Sequence, residues 1–184
     1  MHYIYSLPYE FLLLSLIIYT PIRLYLLKRQ GRKVSYWREL VYILWLLYLE
    51  SLLYLTVFPH SDVIRSDWTG VNLIPFDTIE DYIFLFTHGG IFAASVNLIG
   101  NIVVFVPIGF LLVLTNRKIS FWKVFVIGFL TTLAIEWVQY ALSQSGLLAR
   151  SSDVDDLILN TFGVIAGYIL GKIVVYLYVK FLMK

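Results

Sequence analysis

Polar side chains stand inside stretches otherwise apolar enough to cross a bilayer: Asn97, Asn101, Glu136, Gln139, Asp156 and Asn160. A carboxylate at such depth is expensive unless it is partnered or protonated, so Glu136 is a candidate general base or proton carrier. Asp153 and Asp156 sit nearby in the sequence and could hold a divalent cation. With oxygen ligands and no His beside them, that ion would be Mg²⁺, Mn²⁺ or Ca²⁺ rather than Zn²⁺. Glu136, Asp153 and Asp156 are therefore the catalytic candidates, with no metal assigned. Arg150 either pairs with Asp153 or clamps a phosphate or carboxylate. His60 and His88 are isolated and read as interfacial residues rather than metal ligands. The chain has no cysteine, which removes disulfide and thiolate chemistry. It also has no phosphate-binding glycine loop, no HExxH and no Ser-His-Asp set.

The spacing says which helices would carry these groups. Asp153, Asp156, Asn160, Gly163, Gly167 and Gly171 are separated by 3, 4, 3, 4 and 4 residues. At 100° per residue they fall on one stripe less than about 90° wide, polar at its start and glycine beyond. The glycines suit close approach of a second helix. Acidic caps and a packing groove would account for Asp153 and the glycines but only poorly for Asn160, about 10 Å further along the axis. Glu136 and Gln139 are one turn apart on another stretch, and Asn97 and Asn101 one turn apart on a third. Two asparagines alone would suit interhelical hydrogen bonding. All three stretches, however, place their polar groups in the same half of the membrane. A single pocket of Asn97, Asn101, Glu136, Gln139, Asp156 and Asn160 is expected, with Arg150 and Asp153 at its rim. Asn72 and Pro75 in Val71-Asn72-Leu73-Ile74-Pro75-Phe76 should form a turn capping it.

The elements that hold these residues follow from composition. Of 184 residues, 60% are hydrophobic and 14% charged, with a mean hydropathy of +0.81. A soluble domain carries about 25% charge, so here the bilayer is the solvent. Five stretches approach the ~20 residues a spanning helix needs: Tyr9–Leu27, Leu40–Phe58, Ile91–Leu114, Phe121–Leu142 and Val154–Leu182. Pro21 should kink the first, Arg23 can snorkel, and Glu50 in the second must face protein. Pro107 should bend the third. Tyr82-Ile83-Phe84-Leu85-Phe86 is too short to span and reads, like the Asn72–Phe76 patch, as interfacial or re-entrant. Trp37, Trp68, Trp122, Trp137 and Tyr140 suit the aromatic belts. No cleavable signal peptide, internal repeat or linker is expected, and one domain over residues 1–184 is. Lys and Arg divide ten to two between the two sides, which predicts an external N-terminus and a cytoplasmic C-terminus. The basic residues flank the spans, so nucleic-acid binding is not expected.

Asn72-Leu73-Ile74-Pro75-Phe76 comes first. Asn97-x-x-Gly100-Asn101-x-x-x-Phe105-x-Pro107-x-Gly109 follows, then Glu136-x-x-Gln139. The last element is Arg150-x-x-Asp153-x-Asp155-Asp156-x-x-x-Asn160-x-x-Gly163. In this order the motifs resemble the VanZ-like family, over a core of residues 72–167. The first two spans carry none of these motifs. The resemblance implies a bacterial plasma-membrane protein that lowers susceptibility to teicoplanin or related lipoglycopeptides. The expected fold is all-α, a bundle of about five transmembrane helices, with membrane lipids as partners. The leading expectation is a pocket in the outer leaflet that binds a lipid-linked envelope precursor, a lipoglycopeptide or another amphiphile. The second is a membrane-embedded enzyme acting on a lipid-linked phosphate or glycan with carboxylate or divalent-metal chemistry. The third is proton-coupled transport with Glu136 as carrier.

Overall fold

A computed structural model describes residues 9–57, 71–145 and 152–182. Six helices and two short strands occupy them: α1 Tyr9–Arg29, α2 Tyr36–Val57, β1 Val71–Asn72, α3 Asp77–Thr87, α4 Ile91–Thr115, α5 Phe121–Gln144, β2 Ser152–Asp153 and α6 Val154–Leu182. Five of the helices, all but α3, are long and apolar enough to cross a membrane. Less than a third of the apolar window of each is buried within the protein, which leaves long apolar surfaces of the kind a bilayer solvates. The chain is thus an all-α, multi-pass membrane protein. Contacts divide it into two compact units, Met1–Leu55 and Thr56–Lys184.

In the first unit, α1 runs unbroken through Pro21. Arg23 does not simply snorkel. Its guanidinium grips Glu39 with two bonds of 2.7 and 3.0 Å and lies over the Tyr42 ring. Glu50 meets a protein group as expected, accepting from Ser15 Oγ at 3.0 Å. Gly31, at φ +63°, ends α1 in the left-handed conformation that glycine adopts without a Cβ clash.

In the second unit, α4 and α6 run in the same direction and α5 runs against them. Glycine sets the approach of α4 to α6. A Cβ on Gly163 would sit 2.2 Å from the Ile102 carbonyl oxygen, and one on Gly167 1.9 Å from that of Val106. Gly109 answers from α4, where a Cβ would lie 1.9 Å from the Val164 oxygen. Backbone therefore packs directly on backbone, the contact that small residues permit in lipid. The α5–α6 contact is looser: Val164 fills the space beside Gly128, and Thr132 faces Thr161 at 3.4 Å. Among the described residues the Lys and Arg side chains of this unit collect at one end, where Lys172 Nζ donates to the Arg117 carbonyl at 2.9 Å. The polar ends of α4, α5 and α6 meet at the other.

Candidate functional site

Strand β1 pairs in parallel with β2, Val71 opposite Ser152 and Asn72 opposite Asp153. This ties the segment before α3 to the start of α6. The Asn72 side chain accepts from Ile74 N–H at 3.0 Å, the turn expected of the Asn72–Pro75 segment, and donates to Thr78 Oγ1 at 2.9 Å. Thr78 Oγ1 in turn donates to Asp153 Oδ2 at 2.5 Å, while Asp153 Oδ1 accepts from Asp155 N–H at 2.9 Å. The second bond opens α6 as an N-capping carboxylate does.

Helix α3 has no cap of its own, because Phe76, at φ +73°, precedes it and cannot supply one. Asp155 supplies it from α6. One carboxylate oxygen accepts Phe76 N–H at 2.6 Å and the other Ile79 N–H at 3.1 Å. Asp155 is wholly buried. Sequence reasoning missed this role, since Asp155 lies about 100° off the stripe formed by its neighbours. Thr78 and Ser152 were missed as well. The run of acidic residues at 153–156 was the only available signal.

The predicted residues divide as follows. Glu136 is buried and accepts from Asp153 N–H at 3.2 Å and Ser152 Oγ at 3.3 Å. Its partners thus include a strand, not only another spanning helix. Asn101 donates to Asp156, joining α4 to α6. Gln139 donates through Nε2 to the Thr56 carbonyl at 2.8 Å, and its buried Oε1 has no hydrogen-bond partner among the described residues. Asn160 Oδ1 is likewise buried with no partner among the described residues. Asn97 is a correction to the expected pocket. Its side chain is exposed and returns to the Ala93 carbonyl of its own helix at 2.9 Å, because rotation along α4 turns it outward while Asn101 turns in. Arg150, His60 and Trp68 lie outside the described residues. His88 stacks on Phe84 with centroids 3.9 Å apart.

An open cleft of about 330 Å³ reaches this network, lined by Val71, Leu133, Glu136, Trp137, Tyr140 and Ser152. Leu133, Trp137 and Tyr140 recur at i, i+4 and i+7 on one face of α5. Trp137 and Tyr140, read from sequence as belt residues, therefore form a wall. The cleft is a shallow, mostly apolar surface with a carboxylate and a hydroxyl at its edge. The carboxylates around it serve mainly as acceptors for backbone and hydroxyl groups. Among the described residues, no three His, Cys, Asp or Glu side chains are grouped to hold a metal ion, which gives the divalent-cation expectation no ligand set there.

A family model described as VanZ/LLP1 matches residues 45–175, more than half the chain. No curated protein and no solved structure matches it.

Proposed function

The chain belongs to the VanZ/LLP1 family, and from that premise we propose that it binds an amphiphilic envelope molecule in the cleft on α5. In this reading the protein lies in the bacterial plasma membrane with its N-terminus outside, and the cleft opens to the outer leaflet. A lipid-linked precursor or a lipoglycopeptide such as teicoplanin lays its chain along Leu133, Trp137 and Tyr140 and its polar group at Glu136 and Ser152. Holding the drug or its target there lowers susceptibility. The observation that supports this is the cleft itself, whose apolar wall and polar edge suit one molecule with both characters. The volume of about 330 Å³ falls at the small end of ligand sites.

The enzyme reading has less behind it. Asp153 is engaged by one hydroxyl and one backbone N–H, and Asp155 by two backbone N–H groups. Proton-coupled transport also has less behind it, since below Thr132 and Thr161 the glycine contacts bring the α4 and α6 backbones directly together.

The test is expression in a teicoplanin-susceptible bacterium. Wild type should raise the inhibitory concentration, and Trp137→Ala and Glu136→Gln should remove that protection at equal membrane abundance. Protection kept by both variants would remove the cleft from the activity. Absence of protection by wild type would remove the resistance phenotype.

A further inference from the structure

Lys172 is a charge inside a span. On either side of it, residues 157–171 and 173–179 hold no charged side chain, and α6 is apolar enough to cross a membrane. An ionisable group in such a stretch is costly unless it reaches a polar partner, and it is by default a candidate site. The ammonium reaches the α4–α5 turn. It donates to the Arg117 carbonyl at 2.9 Å and lies 5.2 Å from the centre of the Tyr168 ring. Of the three N–H donors of an ammonium, that carbonyl takes one.

The turn adds charge of the same sign. Arg117 is exposed, with its guanidinium 5.5 Å from the centre of the Tyr178 ring, and Lys118 beside it is exposed as well. From residue 82 to 135 and from 157 to 184 the sequence has no Asp or Glu. The turn and the helix stretches packed around it therefore bring no side-chain carboxylate to this end. Among the described residues the ion pairs, Arg23–Glu39 and Arg38–Glu39, both lie in the first unit.

An apolar face leads from Lys172 toward the middle of the span. Ile169 and Phe162, 51% and 57% exposed, stand about 60° and 80° from it around the α6 axis. Lys and Arg at span ends are in general an orientation signal. Lys172 departs from that pattern, standing about 15 Å short of the helix end at Leu182.

We propose that Lys172, Arg117 and Lys118 hold the phosphate of an anionic phospholipid, with its acyl chain along Ile169 and Phe162. The site lies at the opposite end of the helices from the cleft and does not depend on what the cleft binds. Lys172 and Arg117 supply charge-assisted donors to the phosphate oxygens. A zwitterionic lipid carries its own ammonium beside the phosphate, so its net attraction is weaker.

Trp122 reports on this end. It is 71% exposed, and its ring meets Phe121, which meets Tyr168. The full-length protein is reconstituted in phosphatidylcholine bilayers containing brominated phosphatidylglycerol or, separately, brominated phosphatidylcholine. The quenching that disappears in Trp122→Phe measures lipid here. The anionic lipid should be preferred about fivefold or more, the factor that one basic residue near an anionic lipid supplies. Lys172→Gln and Arg117→Gln should each remove that factor, and Lys172→Arg should keep it. Lys180→Gln removes the same charge about 12 Å further along α6, beyond the screening length at physiological salt, and should leave the preference unchanged. No preference in wild type overturns the proposal, as does an unchanged preference in Lys172→Gln and Arg117→Gln. An equal loss in Lys180→Gln also overturns it, because the attraction then belongs to the total charge. Inorganic phosphate at constant ionic strength should not compete; if it does, the cations serve a soluble anion and the lipid site falls. If neither lipid quenches Trp122, protein such as a second copy of this chain covers the face, and the proposal falls with it. Should Lys172→Gln fail to fold, Arg117→Gln, on the exposed turn, makes the same comparison.

Discussion

The carboxylate of Asp155 accepts the Phe76 backbone N–H at 2.6 Å across 79 residues of sequence. Through this bond the first turn of one helix caps another. It holds the Val71–Phe76 segment where Val71 can wall the cleft.

Asp155→Ala should therefore loosen α3 and β1 together. It leaves two part-buried backbone donors without their cap, at a cost of about 1–2 kcal/mol. Thermal unfolding in detergent should fall accordingly, and limited proteolysis should appear near Leu73–Phe76. Asp77→Ala, on the exposed side of the same helix, should leave both unchanged. Equal behaviour of the two variants would contradict the capping role.

The asparagines of α4 should separate. Asn101→Ala removes the donor that Asp156 accepts and should cost about 1–3 kcal/mol. Asn97→Ala removes an exposed bond to its own helix and should stay within about 0.5 kcal/mol of wild type. Melting curves for the pair decide it; a larger loss for Asn97→Ala would place that residue back in the site.

Glycine positions should separate too. Gly167→Leu drives a side chain into the Val106 carbonyl, 1.9 Å from its Cβ. It should exceed the ~1–3 kcal/mol of ordinary overpacking and reduce membrane yield. Gly100→Ala meets nothing within 4 Å and should express normally. Yields that do not differ would argue against backbone contact between α4 and α6.

Orientation can be read with cysteines, since the chain has none of its own. In intact cells a membrane-impermeant maleimide should label Gln144→Cys and spare Gln30→Cys. The reverse pattern would turn the cleft to the cytoplasmic leaflet.

The spanning helices were legible in the sequence because length and apolarity are local properties. Each expected span has a helix within four residues of its expected ends, for example Phe121–Gln144 against Phe121–Leu142. The glycine stripe was legible for the same reason. A 3.6-residue period fixes which side chains share a face, and Gly163, Gly167 and Gly171 all meet α4. Periodicity does not say which face meets a partner, and there tertiary structure decided. Asn97 and Asn101 lie about 40° apart on one helix, yet only Asn101 reaches Asp156. Neighbouring Asp155 and Asp156 serve different helices, α3 and α4. The β1–β2 clamp left no pattern, because two-residue strands carry no alternation to read. Sequence alone determined that this chain dissolves in a bilayer and which polar residues its spans carry. What each of them bonds to depended on groups brought together from as far as 83 residues away, as Gln139 is to Thr56, because a buried hydrogen bond is satisfied by position in space rather than by neighbourhood in the chain.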